Sequence, residues 1–218
     1  MHQALYKILR DAPFVPTAFP TSVETLCGYA RALHDEHYPA IELLARPLDE
    51  LLRAFERIAA QPERKLIRWG IGTIKTASAA KQALGLRPDF LVSPAFSRRV
   101  LELCASADIP YIPGVQTFQD VQDVLDAFDE LRLEIQVLKL CPVYGLTIDY
   151  VQALSSCFPG IAFCPTGEVT HENYLHWKNM PSVIAPMGSR LIPRELLESH
   201  DFTAVRKRLR DYRDLARH

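Results

Sequence analysis

Short apolar runs alternate along the chain with longer amphipathic stretches, and this alternation predicts strands and helices in turn. The runs that predict eight strands are FVPTAF (14–19), AIELL (40–44), LIRWGIG (66–72), DFLVS (89–93), YIPGV (111–115), IQVLKL (135–140), IAFCP (161–165) and VIAPM (183–187). The stretches that predict helices between them are 22–35, 48–60, 76–84, 97–107, 118–129, 148–157 and 170–178. An additional amphipathic helix is predicted at the N-terminus, in MHQALYKILRD.

Strict alternation of strand and helix favours right-handed crossovers and a parallel sheet. With about eight units, and no G-x-G-x-x-G turn after the first strand, a closed (β/α)₈ TIM barrel is favoured over an open doubly wound sheet. No linker or shift of composition interrupts the chain. We therefore expect one barrel domain over residues 1–218, with its functional residues at the carboxyl ends of the strands.

Composition and charge exclude several classes of function. Hydrophobic residues make up 48% of the chain, and 25 Lys and Arg nearly balance 26 Asp and Glu, so a nucleic-acid or membrane partner is not expected. The basic segment 206–217 is interleaved with acidic and apolar residues at helical spacing, which favours a solvated helix face. Five scattered cysteines without a CxxC pair, and no apolar run of membrane-spanning length, favour a cytoplasmic protein with reduced thiols.

Lys139 is the first candidate for catalysis, because it stands inside the apolar run IQVLKL near the end of a strand. Burial disfavours the charged form of a lysine, and the neutral amine can attack a carbonyl group. The alternative is a lysine whose ammonium group extends to the rim of the barrel. The local sequence leaves both interpretations open.

Glu42 and Arg46 form the second candidate group. Glu42 lies within the apolar run AIELL, where a carboxylate needs a partner, and Arg46 follows four residues later. Glu42 could move protons in a Schiff-base mechanism while Arg46 holds a substrate carboxylate. A purely structural Glu42–Arg46 ion pair is the alternative.

Three further segments end predicted strands with small or hydroxyl residues. GIGT (70–73) has two glycines that let a ligand approach the backbone, although a plain turn has the same pattern. PTG (165–167) and MGS (187–189) end the seventh and eighth strands, where many barrels bind phosphate. The histidines show no metal-ligand spacing, so no metal site is predicted.

Several motifs taken in order resemble the 2-keto-3-deoxy-6-phosphogluconate (KDPG) / 4-hydroxy-2-oxoglutarate (KHG) aldolase family. They are IEL-x-x-R (41–46), GIGT (70–73), SP (93–94), IPGVQT (112–117), LKLCP (138–142), FCPTG (163–167) and GSRLIP (188–193). The resemblance extends from about Phe14 to Pro193. An ordered set of this kind is far more specific than any single motif.

The resemblance implies a class I aldolase that needs no cofactor and cleaves a 2-oxo acid to pyruvate and an aldehyde. Lys139 would form the Schiff base and Glu42 would move protons. The residues that would bind substrate are Arg46, Thr73, Pro94, Thr166, Gly167, Gly188 and Ser189. The family also implies a homotrimer.

The chain departs from the family at the loops that hold a phosphate. Phosphogluconate-type members usually read PTGG and GGS, whereas Glu168 and Met187 replace one glycine of each motif here. A carboxylate repels a phosphate, and Arg190 could neutralise Glu168 or bind a distal carboxylate. These departures favour a smaller or non-phosphorylated substrate, and Tyr144 is expected to reshape the pocket. The alternatives are a catalytically retired barrel that binds a sugar acid or a protein, and a 2-oxo diacid decarboxylase using the same imine.

Overall fold

A computed structural model describes residues 2–217, so Met1 and His218, the ends of the predicted domain, lie outside the described residues. The strands are β1 (Val15–Ala18), β2 (Ala40–Leu44), β3 (Arg68–Gly72), β4 (Phe90–Val92), β5 (Tyr111–Ile112), β6 (Gly114–Val115), β7 (Val137–Leu140), β8 (Ala162–Pro165) and β9 (Met187–Gly188). The helices are α1 (His2–Arg10), α2 (Val23–Asp35), α3 (Leu48–Ala59), α4 (Ala77–Gly85), α5 (Arg98–Ser106), α6 (Phe118–Glu130), α7 (Ile148–Cys157), α8 (Tyr174–Lys178), α9 (Arg194–Glu198) and α10 (Phe202–Leu215). A short 3-10 helix covers Pro62–Lys65.

The strands form a closed parallel barrel with eight positions. One run of pairing has the order β5-β4-β3-β2-β1-β9 and the other has the order β6-β7-β8. β5 and β6 flank Pro113, which has no N–H group to donate to a sheet, so together they fill the fifth position. A parallel bridge between Thr166 and Met187 joins the remaining edges. The predicted (β/α)₈ barrel and its N-terminal helix are confirmed.

Alternate residues of the strands fill the barrel interior. The buried side chains that pack together there are Val15, Ala40, Phe90, Val92, Ile112, Val137, Ala162, Cys164 and Met187. Leu5 and Leu9 of α1 belong to the same cluster, so this helix closes the amino end of the barrel. Glu42 and Lys139 follow Ala40 and Val137 by two positions, which places both on the interior face, nearer the carboxyl ends.

Several helices begin where their sequences predict. The hydroxyl groups of Ser22, Thr76 and Thr147 each accept a hydrogen bond from a backbone N–H of the first turn. Thr117 and Asp120 form a full capping box at the start of α6. These caps set where four of the helices start relative to the strands that precede them.

Two predicted elements differ from the structure. The helix expected over 170–178 begins only at Tyr174, because the side chain of Asn173 accepts from the Thr170 N–H and holds a turn there. The last strand is Met187–Gly188 instead of 183–187, because Pro186 cannot donate to the sheet. Ile184 and Ala185, which belong to the predicted strand but precede the observed one, still pack into the barrel interior.

The last helix, α10, packs on α2 through ion pairs. The guanidinium groups of Arg210 and Arg213 donate to the buried carboxylate of Glu36, and Arg206 pairs with Asp35. The hydrogen bond from Arg210 lowers the pKa of Glu36. These contacts give the basic residues of this segment a structural role. Within residues 2–217, every helix is too short or too polar to cross a lipid bilayer.

Candidate active site

A cavity of about 350 Å³ lies at the carboxyl ends of the strands. Its lining includes all the residues that the sequence assigned to catalysis and substrate binding. They are Glu42, Arg46, Thr73, Pro94, Lys139, Thr166, Gly167, Gly188 and Ser189. They come from six of the eight barrel positions or the loops that follow them, so closure of the barrel brings together residues far apart in sequence.

An ion pair between Lys139 and Glu42 forms the floor of this cavity. The Lys139 Nζ donates to Glu42 Oε1 over 3.1 Å, and the two residues are 4% and 0% exposed. The other carboxylate oxygen, Oε2, is buried and has no hydrogen-bond partner among the described residues. A buried carboxylate with a spare oxygen has the capacity to accept a further proton or a bound water. The pair can therefore both attack a carbonyl and move a proton.

The glycines of GIGT make room for neighbouring side chains. A Cβ atom on Gly72 would lie 1.8 Å from Glu42 Oε1, and one on Gly70 would lie 2.1 Å from the ring of Phe90. Only glycine at position 72 lets the Glu42 carboxylate lie across β3 toward Lys139. The sequence predicted close approach of a ligand, whereas these positions accept a carboxylate and an aromatic ring of the protein.

Arg46 and Thr73 stand on the neighbouring loops that follow β2 and β3. Arg46 is exposed, and its guanidinium group makes no ion pair within the part of the chain that the structure describes. The structural Glu42–Arg46 pair is therefore wrong, since Glu42 bonds to Lys139 instead. Thr73 adopts φ 63°, a left-handed conformation that is strained for a β-branched residue. Such strain is characteristic of positions held for function.

Known proteins resemble this chain over most of its length. A sequence model described as KDPG and KHG aldolase matches residues 5–208. The chain belongs to the KDPG and KHG aldolase family. The 2-dehydro-3-deoxy-phosphogluconate aldolase of Treponema pallidum is 29% identical over 204 residues, which cover 92% of each chain. The KHG/KDPG aldolase of Escherichia coli K12 is 25% identical over 94% of this chain and 92% of that protein.

A solved structure agrees with the fold. The KDPG aldolase of Legionella pneumophila, with pyruvate captured as a covalent carbinolamine intermediate, superposes with a TM-score of 0.82. Its sequence is 23% identical, and the match covers 94% of this chain and 96% of that one. At this identity the likeness supports the barrel fold alone. The resemblance inferred from the ordered motifs is confirmed by the family match.

The loops of the aldolase cavity are shaped by close backbone contacts. A Cβ atom on Gly114 would lie 2.2 Å from the carbonyl oxygen of Pro94, so glycine lets the loop after β4 cross over β6. Gly167 has φ 87°, a conformation that favours glycine, and a Cβ there would touch Pro142. The hydroxyl group of Thr166 donates to the carbonyl of Cys164, which fixes the end of β8.

Glu168 and Arg190 form an ion pair at the rim of the cavity, one of the two roles that the sequence suggested for Arg190. Arg190 Nη1 donates to Glu168 Oε2 over 2.6 Å, and both side chains are largely exposed. Glu168 has φ 57°, so it occupies a left-handed position that glycine takes without strain. Met187 is buried and lines the wall. Tyr144 is 76% exposed and does not line the cavity, so its expected effect on the pocket is wrong.

Two cysteines lie near the Lys139–Glu42 pair without being activated. Burial raises the pKa of Cys141, and the charge of Lys139 only partly opposes this. Burial also raises the pKa of Cys164 to about 12. A raised pKa disfavours the reactive thiolate form of both residues. Within residues 2–217 no three His, Cys, Asp or Glu side chains are grouped so that they could hold a metal ion.

Thr17 is the polar residue of the cavity whose contribution the sequence left unassigned. It is 7% exposed, stands opposite Glu42 in the β1–β2 register and lines the cavity. The signal was its position two residues after the buried Val15, on the interior face of β1. Phe19, Cys141, Pro142 and Val169 also line the cavity, and as apolar or loop residues they carried no such signal.

Proposed function

We propose that the protein is a class I aldolase that reversibly cleaves a 2-keto-3-deoxy or 4-hydroxy-2-oxo acid to pyruvate and an aldehyde. The observation that carries this proposal is the contact of 3.1 Å between Lys139 Nζ and Glu42 Oε1 at the floor of the cavity. An amine held in a largely apolar interior, with a carboxylate beside it, is the arrangement that Schiff-base chemistry needs.

The reaction begins with transfer of a proton from Lys139 to Glu42. The neutral amine then attacks the C2 carbonyl carbon and forms a carbinolamine. The protonated Glu42 returns its proton to the carbinolamine hydroxyl, which leaves as water and gives a protonated imine on Lys139. The spare oxygen Oε2 leaves the carboxylate room to handle this water while Oε1 stays near the nitrogen.

Cleavage uses the imine as an electron sink. Glu42, again a carboxylate, removes the proton of the C4 hydroxyl, and the C3–C4 bond breaks. The electron pair of the C3–C4 bond moves toward the imine nitrogen, which gives an enamine of pyruvate and a free aldehyde. Glu42 then protonates C3 of the enamine, and water hydrolyses the imine to release pyruvate and restore Lys139.

Binding of the substrate carboxylate is assigned to Arg46 and Thr73. The Arg46 guanidinium lines the cavity and has no ionic partner among residues 2–217, so its donors are free for a bidentate contact. Thr73 lines the cavity from the neighbouring loop, and its hydroxyl and N–H are proposed to bind the same carboxylate. Pro94, Thr166, Gly167, Gly188 and Ser189 are proposed to contact the remainder of the substrate.

The relatives support the reaction class. Those of T. pallidum and E. coli carry the names of 2-oxo acid aldolases, and the L. pneumophila protein captured pyruvate as a carbinolamine. A homotrimer, a single domain over 1–218 and a cytoplasmic location stay predictions for this chain. Light scattering after size-exclusion chromatography would test the trimer.

The experiment that tests the proposal is exchange of the pyruvate methyl protons in D₂O, followed by NMR. An enamine on Lys139 exchanges these protons without any aldehyde, so the measurement needs no knowledge of the second product. We expect the wild type to exchange them and the Lys139→Met variant to lose this activity. A folded wild type that leaves the methyl group unchanged would contradict the proposal and favour a retired barrel.

A further inference from the structure

A second chamber of about 340 Å³ lies beside the active-site cavity. The two share Thr17, Phe19, Ser189 and Arg190 as lining, so a bound molecule can extend from one to the other. The chamber lies between the loop after β1 and α9. Apolar side chains such as Ile192 and Leu197 contribute to its walls, and both are buried.

The two ends of this combined space differ in charge. At the inner end, Lys139 and Arg46 outnumber the single carboxylate of Glu42. The outer part has two arginines, Arg190 and Arg194, against three carboxylates, Glu168, Glu195 and Glu198. The inner end therefore attracts an anionic group, whereas the outer end has an excess of one negative charge.

The outer arginines are already paired. Arg190 donates to Glu168 and Arg194 donates to Glu198, each over 2.6 Å. Glu195 has no ion-pair partner within residues 2–217. A phosphate or carboxylate bound here would have to displace Glu168 from Arg190 and would then lie beside that carboxylate. An uncharged hydroxyl could accept from Arg190 and donate to Glu168 with the pair intact.

We propose, building on the aldolase function above, that the substrate carries its only anionic group at the inner end. The half that leaves as the aldehyde ends in an uncharged group, which passes Ser189 and Arg190 and extends into the second chamber. The outer end of the site thus selects neutral aldehydes over phosphorylated or carboxylated ones.

A matched pair of aldehydes tests the charge preference. We measure kcat/KM for aldol addition of pyruvate to D-glyceraldehyde and to D-glyceraldehyde 3-phosphate, which differ only in the phosphate. The wild type should prefer the neutral aldehyde by about tenfold, and Glu168→Gln should move that ratio about tenfold toward the phosphate. Glu56→Gln, on the exposed face of α3, removes an equal charge remote from the cavity and should leave the ratio unchanged. A wild-type preference for the phosphate would overturn the proposal.

A second variant tests the chamber itself. Thr21 lines it, and Thr21→Phe should narrow it. The kcat/KM should rise from acetaldehyde to butanal in the wild type, and the variant should cancel this rise. An equal loss of kcat/KM for both aldehydes, or no loss for either, would contradict binding of the aldehyde in the chamber.

Exchange of the pyruvate methyl protons, measured on the same preparations, distinguishes a failure of this inference from a failure of the proposed aldolase function. Exchange together with a preference for phosphate would overturn this inference alone. Absence of exchange in the folded wild type would overturn the aldolase function, and this inference with it.

Discussion

Two lysines with restricted solvent access lie at opposite ends of the barrel. Lys139, near the carboxyl ends of the strands, has one acceptor, Glu42 Oε1, and lines the active-site cavity. Lys178 lies at the amino ends, where it donates to the backbone carbonyls of Ala12 over 3.0 Å and Ile184 over 2.7 Å. Burial lowers the pKa of Lys178.

The two lysines differ in the groups that surround the amine. The bonds of Lys178 join α8 to the segments before β1 and β9, and they are made to fixed carbonyls that cannot exchange a proton. Lys139 faces a carboxylate that can take its proton, beside a space that admits a substrate. On the proposed mechanism a reactive lysine needs an adjacent base and a cavity, and a pKa lowered by burial is insufficient.

The largest expected effect is the loss of pyruvate chemistry in Lys139→Met. Methyl-proton exchange should fall by a factor on the order of 10³ or more, because no other amine of the cavity can form the imine. Lys178→Met is the matched control and should keep the wild-type rate per folded molecule. Similar losses of methyl-proton exchange in the two variants, measured by NMR, would show that Lys139 has no special role in this reaction.

The next effect concerns the position of Glu42. Gly72→Ala places a methyl group where Glu42 Oε1 now lies, so the carboxylate must move away from Lys139. Displacement of a catalytic group by about 1 Å costs on the order of 10²-fold in rate. Gly85→Ala is the control, because a Cβ there meets no atom within 4 Å. Unchanged exchange in Gly72→Ala would contradict the role assigned to Glu42.

A smaller effect is expected on stability at the amino end. Lys178→Met leaves the carbonyls of Ala12 and Ile184 without their donor, and we expect the free energy of unfolding to fall by about 1–3 kcal/mol. Urea denaturation followed by circular dichroism measures this change. Lys81→Met, on the exposed side of α4, should stay within about 0.5 kcal/mol of the wild type. Equal stabilities of the Lys178 and Lys81 variants would show that Lys178 has no structural role.

The smallest effect concerns a second buried carboxylate, Glu36, which contrasts with Glu42. Its oxygens accept from Arg210 and Arg213, and the bond from Arg210 lowers its pKa. A lowered folded-state pKa stabilises the fold above the unfolded value of about 4.3. That contribution is lost as the pH falls through the folded-state pKa.

Glu36→Gln should therefore lower the free energy of unfolding by about 1 kcal/mol at pH 7, a modest amount because Arg210 is partly exposed. The difference in this free energy between variant and wild type should shrink toward pH 3. Urea titrations at the two pH values measure it. A difference that grows on acidification would contradict this assignment.

Much of the fold and of the site followed from the sequence, because both depend on local periodicity. The period of two along a strand places Lys139 above Val137 and Glu42 above Ala40, so their common interior face is readable from spacing. The ordered motifs then identified the family. Each residue named in advance as catalytic or substrate-binding lines the cavity, whereas Tyr144 does not, and the roles of these residues stay predictions.

What the sequence could not provide depends on contacts between distant segments. Arg46 is four residues from Glu42 and was the obvious partner, whereas the actual partner, Lys139, is 97 residues away. Position 72 requires glycine because the carboxylate of Glu42, on the neighbouring strand, occupies the space of a Cβ atom. No pattern within GIGT reveals this contact. Such contacts appear only once the chain has folded.

The most direct test of the central claim is trapping of the imine. The protein is incubated with pyruvate and borohydride, and intact mass and peptide mapping locate the adduct in wild type, Lys139→Met and Lys178→Met. We predict one pyruvyl adduct at Lys139, absent from the Lys139 variant and retained in the Lys178 variant. An adduct that persists without Lys139, or none on the folded wild type, would contradict the assignment of Lys139 as the Schiff-base lysine.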